Sequence, residues 1–174
     1  MIGDSDKIFN RFCPVYVSLQ AYYKHRKDNK IENLVTLVSH TVKDLQDILD
    51  LPPDLKVRIA QFKGHQRGCY NPSEKTAHVT PTLDERQFLF TLCHELVHAE
   101  QFHTGRLGYM YNTLRNRYDY SWNGQLNTNR GTTYMAYREQ PWEQEAFGRQ
   151  GELAQKVVEM NPLVRGIVQG YGKK

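Results

Sequence analysis

Two histidines four residues apart, His94 and His98, enclose a glutamate in the stretch Cys93-His94-Glu95-Leu96-Val97-His98-Ala99, an H-E-x-x-H pattern. On a helix that spacing is about one turn, so both imidazoles leave the same face and can offer nitrogen to one metal ion. Glu95 follows the first histidine directly. There it points into the same cleft without competing for the ion, which suits a general base acting on a water the metal activates. The plain alternative is a pair of solvated histidines on a helix surface. Against it, Phe88, Leu89, Leu92, Leu96, Val97 and Ala99 recur with helical spacing, so the helix is largely buried and its polar motif must face a cleft or a metal. The predicted helix runs from Leu83 to Phe102. Pro81 and Thr82-Leu83-Asp84-Glu85 predict its start as a capping box, with Thr82 as the cap.

A catalytic zinc takes three protein ligands and keeps one position open, so two histidines are an incomplete set. A metzincin would continue the motif with Gly at 101 and His at 104. This chain has Gln101 and Thr104, with His103 one place off, and that continuation fails. A carboxylate on a downstream helix fits instead, and Pro141-Trp142-Glu143-Gln144-Glu145-Ala146-Phe147 opens one that runs to about Met160. Glu143 and Glu145 project roughly 200° apart, so only one can face the ion. We take Glu145, because Gly148 lies one turn along its face and would allow close approach to the motif helix, while Trp142 and Ala146 bracket it. Glu143 is the alternative, and Glu139 an outlying one. His65 and His78, on a loop and a strand, read as surface or supporting residues rather than ligands.

The elements that must position these groups follow from the hydrophobic pattern. Residues 1–30 read as a helical arm, with Pro14 at a first helical turn and Val15, Leu19, Tyr22 and Tyr23 as its apolar stripe. Ile31 to Asp50 is amphipathic and is stopped by Leu51-Pro52-Pro53. Strands are predicted at Leu55–Ile59, near Gly68-Cys69-Tyr70 and at Thr76–Thr80, with a turn at Asn71-Pro72. Residues 103–140 form a polar, aromatic-rich insertion. Tyr118–Trp122 before Asn123-Gly124 predicts a hairpin or flap there, its tip, Leu126 to Gly131, having the composition of a mobile loop, and its aromatics serving as a substrate rim or as packing. Residues 163–174, with Gly166, Gly170 and Gly172, read as a loosely held tail.

At 174 residues the chain suits one domain with a real core. The apolar fraction of 39% and the lack of an apolar run near twenty residues exclude a membrane-spanning helix, and the acidic Met1–Asp6 start is unlike a signal peptide, so a cytoplasmic location is expected. Three cysteines, Cys13, Cys69 and Cys93, form no C-x-x-C pair and are expected to be reduced; Cys93 reads as a core thiol. The net charge of +4 is modest. Lys24-His25-Arg26-Lys27 permits contact with nucleic acid but reads more simply as a solvated helix end.

H-E-L-V-H on a capped helix, preceded by a helix and strands and followed by P-W-E-Q-E-A on a second helix, resembles the gluzincin branch of the zincins, and is similar to the small minigluzincin-like proteins of bacteria and phages. The similarity covers about residues 31–160. It implies an α+β zincin-like fold: a small twisted sheet packed on the motif helix, its edge strand bordering the cleft, and a second long helix carrying the third ligand. It implies zinc held by His94, His98 and Glu145, Glu95 as the base, and a peptide or protein substrate. The insertion before Glu145 is longer than a minimal domain of this kind requires. Tyr137 is taken as the donor to the developing oxyanion, with Tyr134 and His103 as alternatives, and a substrate is expected to lie against the strand Thr76–Thr80. Two other readings are an SprT-like protease working beside nucleic acid, for which no C-x-x-C module follows the motif, and a non-enzymatic scaffold, which would have no use for Glu95.

Overall fold

In the computed structural model the described residues are 5–8, 14–25, 29–64, 66–127 and 133–170. Cys13, His65, most of the Lys24–Lys27 patch and of the 126–131 loop tip, residues 1–4 and residues 171–174 lie outside them. The architecture is mixed α and β. The elements in order are β1 (Ser5–Ile8), β2 (Val15–Ser18), α1 (Leu19–His25), α2 (Lys30–Leu45), β3 (Lys56–Ile59), β4 (Gly68–Asn71), β5 (Thr76–Val79), α3 (Glu85–His103), β6 (Leu107–Asn112), β7 (Arg117–Trp122), β8 (Gln125–Asn127), α4 (Tyr134–Arg138), α5 (Pro141–Met160) and α6 (Pro162–Gln169).

A five-stranded sheet has the order β1-β2-β3-β5-β4, with β2, β3 and β5 parallel and the outer strands antiparallel to their neighbours. The predicted helical arm is therefore corrected. Val15 and Val17 are β-branched, alternate with Tyr16 and Ser18, and are buried, so they add a strand beside β3 before α1 begins. The three predicted strands form, but their order matters: β5 is interior and β4 is the edge. The main-chain groups free to border a cleft thus belong to Gly68–Asn71, not to Thr76–Thr80 as expected.

α3 lies against β4 and β5, flanked by α2 and α5. Its cap is Asp84, whose side chain accepts from the Gln87 amide at 2.7 Å; the expected cap, Thr82, pairs its hydroxyl with Thr80 instead. Asp84-x-x-Gln87 satisfies the helix end two residues later than the Thr82 box. Phe88, Leu89, Leu92, Leu96, Val97 and Ala99 join Ile31, Leu34, Leu37 and Val38 of α2 and Leu153, Ala154 and Val157 of α5 in one core. Cys93 is fully buried there, and burial drives its thiol upward, so it is a core residue and not a ligand.

The insertion is more than a hairpin. β6, β7 and β8 make a three-stranded antiparallel sheet, with Asn123 and Gly124 both at positive φ in the tight turn their types predict. Gln140 fastens this sheet to the start of α5: it accepts from Asn127 at 2.8 Å and donates to the Ala136 carbonyl at 3.0 Å. The segment read as a loose tail is α6 over Pro162–Gln169. Asn161 caps it by accepting from Leu163 and Val164, Gly170 ends it at φ 74°, and Val164 is buried. No helix of the described residues is long and apolar enough to cross a membrane.

Candidate metal centre

His94 and His98 leave the buried middle of α3 on the side facing the N-terminal turn of α5, where Pro141 starts the helix and Glu143 follows in its first turn. Among the described residues, His94, His98 and Glu143 are the one group of three potential metal ligands whose atoms converge, and all three are buried. The His94 and His98 Nε2 atoms are 3.1 Å apart; Glu143 Oε2 is 3.3 Å from the first and Oε1 is 3.3 Å from the second. Ligand atoms about 2.0–2.1 Å from a tetrahedral ion are separated by about 3.3 Å, and the two imidazole nitrogens and the Glu143 carboxylate approach one another at about that spacing, each carboxylate oxygen facing a different imidazole. Glu143 Oε2 is buried without a hydrogen-bond partner, a costly state for a carboxylate oxygen that a cation would relieve. The donor set fits a divalent ion.

Glu145 is not part of this group, which corrects the sequence choice. Its carboxylate is held by Arg106 and Arg149, each at 2.7 Å, and both guanidinium groups also reach Glu100. Burial raises the Glu145 carboxyl, but the two arginines outweigh it and hold it below its usual range. Gly148 does not bring Glu145 towards α3: a Cβ there would meet nothing within 4 Å, so Gly148 faces open space. The face that does meet α3 carries Glu143, Ala146 and Gln150. Two signals for this were present in the sequence. Glu145 stands four residues before Arg149, the spacing of an ion pair along a helix, and Glu143 shares its stripe with Ala146 and Gln150 at i+3 and i+7.

Both imidazoles are oriented from behind by glutamines that the sequence reading did not assign. Gln101 Oε1 is 2.8 Å from His98 Nδ1, and Gln101 Nε2 donates to the Trp142 carbonyl at 3.0 Å, which fixes the amide so that its oxygen meets the ring. Gln150 Oε1 is 3.1 Å from His94 Nδ1. With Nδ1–H donated to these oxygens, each Nε2 lone pair points at the shared centre. The Phe147 ring lies 4.5 Å from that of His94, and the Arg138 guanidinium is 4.3 Å from the Phe147 ring.

Electrostatics reinforce the cluster. Burial would raise Glu143, yet His94, His98 and the hydroxyl of Tyr137 bring it down to about 2. Burial would lower His98, yet Glu143, Glu95 and Gln101 raise it. Glu95 is lifted by burial to about 7, against the opposing pull of His98 and His94. That places a carboxyl of near-neutral basicity beside the ligands.

Glu95 faces a groove that passes along the edge strand β4. A cleft of about 590 Å³ opens on the His98 side, and one of about 1040 Å³ on the His94 side; Gln66, Gly68, Glu95 and Tyr137 line both. Gly68 is the closest part of the strand. A Cβ added there would sit 2.6 Å from Glu95 Oε1, 2.8 Å from Thr91 Cγ2 and 3.0 Å from the His78 carbonyl oxygen. Only glycine lets the edge strand come this near the base. Tyr137, taken above as the oxyanion donor, lines both clefts, and its hydroxyl bonds Glu143. Tyr134 lines the His94 side, whereas His103 faces Asp50 at 3.7 Å, away from the centre. His78 stacks edge-on with Phe62 on β5 and ligates nothing. Compared with known protein families, curated proteins and solved structures, the chain matches none.

Proposed function

We propose that the chain is a zinc-dependent peptidase of the zincin type, close to the gluzincin branch, with His94, His98 and Glu143 as the metal ligands and Glu95 as the general base. The observation that carries this is the convergence of two imidazole nitrogens and a carboxylate in a buried group, with the buried Glu95 next to it, opening on a groove beside an edge strand. Zinc in such a site supplies Lewis acidity, polarising a carbonyl and acidifying water.

The chain's own groups do the rest. Glu143 cancels charge at the centre, and Gln101 and Gln150 hold the imidazole tautomers. Glu95 takes the proton of the attacking water and passes it to the leaving amine, a role open to a buried carboxylate that lines both clefts beside the ligands. Tyr137 stands at the groove with a hydroxyl able to turn from Glu143 to the substrate carbonyl as that oxygen gains charge. An extended substrate gains main-chain hydrogen bonds along Gly68–Asn71.

The test is metal analysis and peptide hydrolysis of the wild type and Glu95→Gln. About one zinc per chain in both proteins, with hydrolysis only in the wild type, is the expected result. Zinc bound without turnover by the wild type on a broad peptide mixture would instead support the scaffold reading.

A further inference from the structure

The sheet β6-β7-β8 has one aromatic face. Register pairs Tyr109 with Tyr120 and Tyr111 with Tyr118, and the alternation of side chains along each strand puts all four on the same side as Leu107 and Trp122. The inner part of that face is covered: Leu107 is buried, and Tyr120 stacks on Trp142 at 5.5 Å with an angle of 28°. The outer part is not, since Tyr109, Tyr111 and Tyr118 remain 39%, 47% and 49% exposed.

The rings form an unbroken track. From Trp142, next to the ligand Glu143, it passes to Tyr120, then to Tyr109 at 6.5 Å, Tyr118 at 5.3 Å and Tyr111 at 5.2 Å. Trp142, Tyr120, Tyr109 and Tyr118 also line the cleft on the His98 side, so the track begins inside the groove and leaves it over the insertion. It is held in place at Tyr109, whose hydroxyl bonds Ser73 at 2.7 Å in the turn between β4 and β5. Among the described residues that cleft is lined by no lysine, arginine or aspartate; its titratable groups beside the tyrosines and Cys69 are Glu95, His98 and Glu143. Rings two residues apart on one strand repeat at about 6.6 Å, the spacing of alternate side chains in an extended peptide.

We infer that the tyrosine face Tyr109-Tyr111-Tyr118-Tyr120 is a substrate-binding platform outside the catalytic centre, which takes an extended polypeptide with large apolar or aromatic residues at every second position. This rests on the peptidase reading and extends it to the substrate's class. The aromatic rings supply contact area at small entropic cost, and large apolar side chains at alternate positions are what such a face covers best.

Binding can be measured without turnover. The Glu95→Gln protein, as purified and with its metal retained, is titrated with a capped Ser-Phe-Ser-Phe-Ser-Phe peptide, its Ser-Ala counterpart and a soluble oligosaccharide, following tryptophan fluorescence and, separately, heat. The phenylalanine peptide should bind about tenfold or more tightly than the alanine one. Tyr111→Ser with Tyr118→Ser should erase the difference, and Tyr111→Phe with Tyr118→Phe should keep it. In hydrolysis, Tyr111→Ser alone, at a ring that does not line the cleft, should raise KM for long aromatic substrates while leaving kcat, and cleavage of a peptide that fills only the cleft, unchanged. Equal affinity for the two peptides, preference for the oligosaccharide, or loss of binding in the phenylalanine variant would overturn the platform, even in an active enzyme. Selective binding without hydrolysis would keep the platform and reject the peptidase. A melting curve for each variant separates lost recognition from lost folding, and both altered tyrosines are about half exposed, so the fold should survive.

Discussion

Gly68→Ala is the sharpest probe of the contact between the edge strand and the base. The added Cβ starts 2.6 Å from Glu95 Oε1, and ordinary contact begins at 3.4 Å, so the carboxylate must retreat by 0.8 Å or the strand must lift. The His78 carbonyl at 3.0 Å is backbone and gives little, and Thr91 Cγ2 at 2.8 Å sits on the buried helix. Overpacking of this kind costs about 1–3 kcal/mol, or about 2–12 °C in melting temperature for a chain of this length. A misplacement near 1 Å at a reacting group can cost about 100-fold in rate. We expect kcat/KM to fall by about 10–100-fold with zinc content unchanged. Adding Thr91→Ser removes one of the two side-chain collisions and leaves the other. It should restore part of the melting temperature and little of the activity. The assay is hydrolysis of a quenched peptide alongside zinc analysis and thermal melting. An alanine variant with full metal and kcat/KM within twofold of wild type would show that the strand does not position Glu95.

Other outcomes follow from the same geometry. Glu143→Ala should lose zinc by equilibrium dialysis, whereas Glu145→Ala should retain it and lose at most about 1 kcal/mol of stability, because its arginine partners are partly solvated; the reverse order would restore Glu145 as the ligand. Gln101→Leu frees His98 Nδ1 and should weaken zinc binding by about 10–100-fold in a chelator competition while the fold is kept. The Glu145 carboxyl is depressed in the folded state, so its contribution to stability is complete above its ordinary value and is lost as pH falls through the lower, folded one. Melting temperatures of wild type and Glu145→Gln should therefore converge on acidification, and a gap that widens in acid would contradict the assignment.

The residues that could be read from sequence were those whose role is set by spacing along one element. His94, Glu95 and His98 needed only the helical repeat, and Asn123-Gly124 only the backbone demands of a tight turn. What required the folded chain was any choice set between elements. Glu143 and Glu145 are chemically identical, and which one turns inward depends on the roll of α5 against α3; the Glu145–Arg149 spacing hinted at it, and the weight given to Gly148 concealed it. The strand at Val15–Ser18 was masked by Pro14, which suits the residue before an edge-to-centre strand as well as a first helical turn. Asp84 and Thr82 are both competent caps, and the packing of Leu83 and Phe88 decides between them. Which of three strands forms the edge is likewise a property of topology, invisible to local pattern.

Asn161 ends α5, starts α6 and, through its side-chain amide, reaches His40 at 2.9 Å and Asp44 at 3.0 Å on α2. Glu143 stands at the opposite end of α5, about 27 Å away at 1.5 Å per residue. The clamp anchors the far end of the helix that presents this carboxylate, so substitutions at Asn161, His40 or Asp44 should loosen metal affinity from the opposite end of the molecule.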